Sequence, residues 1–226
     1  MVAKDFLALF YPSLCIICAS NLLKHEECIC ISCLHQTPKT DCFINSKNDV
    51  SERFWGRIQL ENAAALFDFN KDGNAQKLIH QLKSEEGKNV GIFLGKQLAY
   101  AINESECFNN IDIVIPVPLH SKKQKLRGYN QSDFIAKGIK EILDIKVNKQ
   151  SLIRIENTDS QTRKKRFSRW ENMMNSFDLR SSKKLKGKHI LLVDDVITTG
   201  STLEACAQKL QEVEGVKVSI ATIAVA

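Results

Sequence analysis

Ile190-Leu191-Leu192-Val193-Asp194-Asp195-Val196-Ile197-Thr198-Thr199-Gly200-Ser201-Thr202 is the stretch that decides the fold. An apolar run delivers two adjacent carboxylates, and small hydroxyl residues around one glycine then open an amphipathic segment. A short apolar run bounded this way has the pattern of a strand buried on both faces of a parallel sheet. The loop that follows has the composition of an oxyanion cradle. Gly200 permits close backbone approach, unpaired N–H groups at a helix start point toward an anion, and Thr198, Thr199, Ser201 and Thr202 add hydroxyl donors. Asp194 and Asp195, at the carboxyl end of the strand, suit neighbouring ribose hydroxyls and form the candidate catalytic pair. The expected ligand is a sugar phosphate.

Working outward, the same alternation of strand and helix recurs. Ala63 to Phe69 is apolar and strand-like, Lys71-Asp72-Gly73 reads as a turn, and Leu78, Ile79 and Leu82 fall at helical spacing. A second helix is expected from about Lys88 to Ile102. Ile111 to Val117, closed by Pro116 and Pro118, reads as a buried strand that stops abruptly. Phe134, Ile135, Ile139, Ile142 and Leu143 mark another amphipathic helix, Thr202 to Val213 a further one, and Val216 to Val225 a last strand. Residues 61–226 are therefore expected to form an α/β domain with a mostly parallel, doubly wound sheet.

Charge is placed unevenly. Residues 120–190 hold 19 Lys and Arg against seven Asp and Glu, which suits a polyanionic ligand. Two segments carry the excess. The loop expected after the Ile111 strand, Ser121 to Ser132, contains Arg127 and Gly128, candidates for a second phosphate group. Arg154 and the polar stretch Asn157 to Asn172, with Arg163, Lys165 and Arg166, read as a mobile cationic lid over a pyrophosphate. An alternative use of the same face is single-stranded DNA, with Tyr129, Phe167 and Trp170 as stacking aromatics.

Six of the eight cysteines fall in the first 42 residues. Cys15-Ile16-Ile17-Cys18 and Cys30-Ile31-Ser32-Cys33 are two C-x-x-C knuckles eleven residues apart, a spacing that closes a tetrahedron around structural zinc. Cys28, Cys42, His25 and His35 lie close by and leave substitutions among the ligands open. Residues 1–60 are expected to be a cysteine-rich zinc module plus a linker, the polar run Asn45 to Glu52 being the linker. Reduced cysteines imply the cytoplasm, and no apolar run approaches the roughly 20 residues needed to cross a bilayer. No membrane insertion is expected.

The strand, acidic pair and Thr/Gly/Ser cradle resemble the type I phosphoribosyltransferase fold. Together with Pro116-Val117-Pro118-Leu119-His120, Arg127-Gly128-Tyr129-Asn130-Gln131-Ser132, Ser160-Gln161-Thr162 and the amino-terminal cysteine pairs, they resemble the ComF family of phosphoribosyltransferase-like proteins. The resemblance implies that Asp194 and Asp195 hold the ribose and that Thr198 to Thr202 hold its 5′-phosphate. It further implies phosphoribosyl pyrophosphate as ligand, with Mg²⁺, and a cytoplasmic bacterial role among competence proteins in DNA uptake. Thr198 stands where some purine-using relatives carry an acid, which argues against a 6-oxopurine acceptor and leaves the acceptor open.

Overall fold

The computed structural model describes residues 12–84, 87–155 and 176–226. Five parallel strands make the central sheet: β1 (Ala63–Asp68), β2 (Ile113–Pro116), β3 (Lys146–Val147), β6 (His189–Ile197) and β7 (Lys217–Val225), in the order β1-β7-β6-β2-β3. Ile190 to Val193 are fully buried, as are most of Val218 to Ala224, because helices cover both faces. Two short strands, β4 (Leu152–Arg154) and β5 (Phe177–Leu179), pair antiparallel beside the sheet.

The helix over Asn74–Gln81 (α3), the long helix Gly87–Glu104 (α4) and the helix Gln131–Leu143 (α6) follow β1 and β2, whereas Ser201–Gln211 (α7) follows β6. Connections from β1 to β2 and from β2 to β3 run one way across the sheet, and the connection from β6 to β7 runs the other. Right-handed crossovers therefore put α4 and α6 on one face and α7 on the opposite one. The order reverses between β2 and β6, so the loops after these two strands splay apart at their carboxyl ends and open a crevice. α4 and α6 meet backbone to backbone: a Cβ on Gly95 would lie 2.1 Å from the carbonyl oxygen of Ile135, and one on Gly138 would lie 2.1 Å from that of Ile92.

The expected strands and helices are found with ends shifted by a few residues, and three segments differ in kind. Ser121–Arg127, expected as loop, is a helix (α5), started by His120 and closed by Gly128 in the left-handed region at φ 79°. It buries nothing, and Leu126 is 91% exposed, so it lacks the apolar periodicity by which a helix is recognised. Asn45 to Glu52 is no loose connector. Asn48 caps a helical turn, Asp49–Glu52 (α2), and its buried side-chain amide donates to the carbonyls of Cys42, Asn45 and Ala63 at 3.3, 2.7 and 3.1 Å. A polar residue used three times inside cannot be told by composition from one facing water. Finally, β3 to β5 are too short to register as patterns.

The cysteine segment, which carries the short helix Ile31–His35 (α1), is sewn to the sheet edge. Lys39 bridges antiparallel to Phe67, the amide of Thr40 donates to Leu66 at 3.2 Å, and that of Asp68 donates to Pro38 at 3.0 Å. This covers β1, an edge otherwise open to pairing with another chain. Ile29, Phe43, Val50 and Phe54 share one continuous core with the large domain, so the segment borrows burial it has too few residues to supply. No helix among the described residues is long and apolar enough to cross a membrane.

Candidate functional site

The crevice at the switch point is a cavity of about 220 Å³ lined by Lys83, Arg127, Gln131, Ser132, Arg154, Asp194, Asp195 and Thr202, among others. β6 brings the two acids to its floor. Asp194 accepts from the Ser132 hydroxyl and from the amide of Asp195, both at 2.9 Å. Asp195, only 8% exposed, accepts from the Gln131 side chain at 3.2 Å and pairs with the Lys83 ammonium at 3.5 Å. Burial and the neighbouring Asp195 carboxylate push Asp194 up to about 7, against the pull of its two hydrogen bonds and of Lys83. A carboxyl poised there gains full acceptor character only in the upper physiological range.

The cradle sits directly after the acids. Thr198 and Thr199 are exposed, and Gly200, at φ 76° in the left-handed region, turns the chain into the first turn of α7. Thr199 and Ser201 hydroxyls lie 3.1 Å apart, and Thr202 reaches the cavity wall. A helix N-terminus with a glycine turn and four hydroxyl residues is suited to a phosphate.

From the other side of the crevice come groups only partly anticipated. Arg127 lines the cavity, but the Gly128 amide donates to Gln124 at 2.7 Å and is spent closing α5. Tyr129 is 6% exposed, and its hydroxyl lies 2.7 Å from the carbonyls of Leu82 and Ser84. Its ring is not offered to a nucleic-acid base; it fastens the turn that carries Lys83 next to the acids. Lys83, Gln131, Ser132 and Arg154 also line the site, and sequence spacing gives no sign of their meeting because three separate elements, the turn after α3, α6 and β4, supply them. Arg163, Lys165, Arg166, Phe167 and Trp170 lie outside the described residues.

Among the described residues, three side-chain atoms are buried without a hydrogen-bond partner: Arg127 Nη1, Arg154 Nε and Gln131 Oε1. All three residues line this one cavity. Buried donors and acceptors are satisfied almost everywhere in folded proteins, so their concentration here is suited to a ligand that would complete the bonding.

Outside the crevice's lining, Cys15, Cys18, Cys30 and Cys33 bring their sulfurs within 4.8 Å of one another. Cys18 and Cys30 sulfurs are 3.8 Å apart, the edge of a tetrahedron with bonds of about 2.3 Å, the usual zinc–thiolate length. The Ser20 hydroxyl, 2.6 Å from the Cys18 sulfur, holds that thiol down to about 6. The cluster is thus compatible with zinc. Cys28, Cys42, His25 and His35 are not part of it.

Residues 130–225 match the phosphoribosyl transferase domain. This part of the chain is similar to a phosphoribosyltransferase domain. The resemblance to the ComF family is also borne out by its relatives. The DNA utilization protein YhgH of Salmonella typhimurium is 32% identical over 136 residues, 59% of this chain and 59% of that one. Competence protein F of Haemophilus influenzae is 32% identical over 139 residues, 60% and 61% of the two chains. Competence protein ComFC of Bacillus subtilis is 34% identical over 100 residues, 44% and 38%. The matches span about three fifths of the first two relatives' length. Among solved structures, the glutamine phosphoribosylpyrophosphate amidotransferase of B. subtilis superposes with TM-score 0.44 at 22% identity, over 65% of this chain and 30% of that one. The adenine phosphoribosyltransferase of Saccharomyces cerevisiae gives 0.36 at 14%, over 69% and 70%.

Proposed function

We propose that the domain binds phosphoribosyl pyrophosphate with Mg²⁺ and transfers its phosphoribosyl group to a nitrogen acceptor, in the service of DNA uptake. The observation that carries this reading is the gathering of the three unpartnered buried atoms around the acid pair. Two of them, on Arg127 and Arg154, are cationic donors suited to pyrophosphate oxygens, and Gln131 Oε1 is an acceptor suited to a hydroxyl. Such a donor and acceptor set fits a ligand that carries anions at one end and sugar hydroxyls beside Asp194 and Asp195.

In this reading the ribose hydroxyls donate to the two carboxylates, and the amides and hydroxyls of Thr198 to Thr202 hold the 5′-phosphate. A nitrogen lone pair attacks C1′ as the bond from C1′ to the pyrophosphate oxygen breaks, and pyrophosphate leaves with that electron pair. The acid pair fits a Mg²⁺ brought by the ligand, since this ion is commonly held by one or two carboxylates together with substrate phosphates; it would neutralise the leaving group's charge. The chain's own contribution is positioning and electrostatics, with no nucleophilic side chain required. Zinc at the four cysteines would be structural, since a closed set of four thiolates leaves no open position for water. The names of the relatives, which speak of competence and DNA utilization, support the biological setting. Among the described residues, the burial of Tyr129 weighs against the reading as a stacking platform for single-stranded DNA.

The test is calorimetric titration of the full chain with phosphoribosyl pyrophosphate and Mg²⁺, beside Asp194→Asn and Asp195→Asn. The acid variants should lose at least about tenfold in affinity, in line with removal of charge-assisted hydrogen bonds. Unchanged affinity would refute the assigned site. Release of pyrophosphate across a panel of nitrogen bases then separates an enzyme from a sensor that binds without transfer.

A further inference from the structure

The turn after α2 does something that its sequence does not advertise. Arg53 Nη1 donates to the carbonyl of Thr198 and, at 2.9 Å, to that of Ala226. Arg57 Nη1 donates to the carbonyl of Thr199 at 3.2 Å, and its Nη2 pairs with the Glu204 carboxylate. Between them Phe54, 1% exposed, packs against Gly200, where an added Cβ would come within 3.0 Å of its ring. Three residues of one turn thus hold three consecutive residues of the cradle. The turn is itself fixed, through Asn48, to Cys42 and to β1.

We infer that Arg53, Phe54 and Arg57 are positioning residues that set the shape of the phosphate cradle, so that the amino-terminal segment builds part of the site rather than merely packing beside it. The inference rests on the reading of residues 198–202 as a phosphate cradle. Two physical arguments carry it. A trans peptide points its carbonyl and the next N–H in opposite directions. Guanidinium groups that capture the carbonyls of Thr198 and Thr199 therefore turn the amides of Thr199 and Gly200 away from the arginines, and they keep carbonyl oxygens from facing an anion. The second argument is charge. Glu204 is 2% exposed in the first turn of α7, where a bare carboxylate would repel a phosphate at the same helix end. Arg57 cancels that charge.

The experiment titrates ribose 5-phosphate and, separately, inorganic pyrophosphate into wild type, Arg53→Gln, Arg57→Gln and the double variant Arg57→Gln/Glu204→Gln, with zinc content and thermal unfolding as fold controls. Ribose 5-phosphate affinity should fall about tenfold in each single variant while pyrophosphate affinity stays within about twofold, because only the cradle end of the ligand meets the brace. The double variant should recover the part of the Arg57→Gln loss that comes from the bare Glu204 charge, while the loss of the Thr199 contact remains. Should a Gln variant fail to fold, the Arg→Lys replacement at the same position takes its place, with a smaller loss confined to ribose 5-phosphate expected. Equal losses for the two ligands, unchanged ribose 5-phosphate affinity in folded single variants, or no recovery in the double variant would each overturn the inference. A wild type that binds neither ligand would instead sink the cradle reading on which it rests.

Discussion

The position of Asp194 makes its proton the sharpest handle on the site. Its carboxyl is held at about 7, chiefly by burial and by the Asp195 carboxylate. Only the ionised form accepts hydrogen bonds from both ribose hydroxyls, so affinity for phosphoribosyl pyrophosphate should follow the ionised fraction. With a midpoint near 7, that fraction is about one tenth at pH 6, one half at pH 7 and nine tenths at pH 8, and Kd should tighten roughly ninefold from pH 6 to pH 8. Phosphate monoesters also titrate near pH 6, so the comparison that matters is with Asp194→Asn, whose residual pH dependence belongs to the ligand alone. Unfolding supplies the second readout. A carboxyl raised above its unfolded value of 3.8 binds more protons in the fold, so its contribution is fully present below about pH 4 and is lost as pH rises through 7. The free protein should weaken by up to ~4 kcal/mol across that window, and Asp194→Asn should flatten the curve. Calorimetry and chemical denaturation at five pH values measure both. Parallel affinity profiles for wild type and Asp194→Asn would refute the assignment of a titrating acceptor here.

Other consequences are separate. Gly200→Ala places a side chain at φ 76° and within 3.0 Å of Phe54, so it should destabilise the fold by about 1–3 kcal/mol and weaken ribose 5-phosphate binding more than it lowers the melting temperature would explain. Gly95→Ala forces a Cβ to 2.1 Å from the Ile135 carbonyl, and loss of about 3 kcal/mol or failure to fold is expected by denaturant titration. Metal analysis of purified protein should find one zinc per chain, and Cys15→Ser or Cys33→Ser should lose it together with stability.

Much of the fold was legible because the parallel strands are buried on both faces and so read as plain apolar runs, His189–Ile197 above all. The cradle was legible for a related reason: a glycine at positive φ and a helix start leave their mark in consecutive residues. What stayed hidden is what depends on distance in sequence. Lys83, Gln131 and Ser132 join Arg154 only when the turn after α3, α6 and β4 converge on the acids of β6, and Arg53 reaches a loop 145 residues away. Nor does composition separate a capped turn from a linker, since Asn48 earns its place through partners at Cys42 and Ala63. The basic run Lys122 to Lys125 lies on a helix with no buried residue, and of that helix Lys123 and Arg127 line the acids' cavity, a selection that the run of charges does not disclose.

The most direct test of the central claim is a crystal structure of the full chain with phosphoribosyl pyrophosphate and Mg²⁺. The 5′-phosphate should accept from amides and hydroxyls of residues 199–202, the ribose hydroxyls should meet Asp194 and Asp195, and Arg127, Arg154 and Gln131 should gain their missing partners. A ligand bound elsewhere, with those three atoms still unpartnered and the acids untouched, would contradict the account.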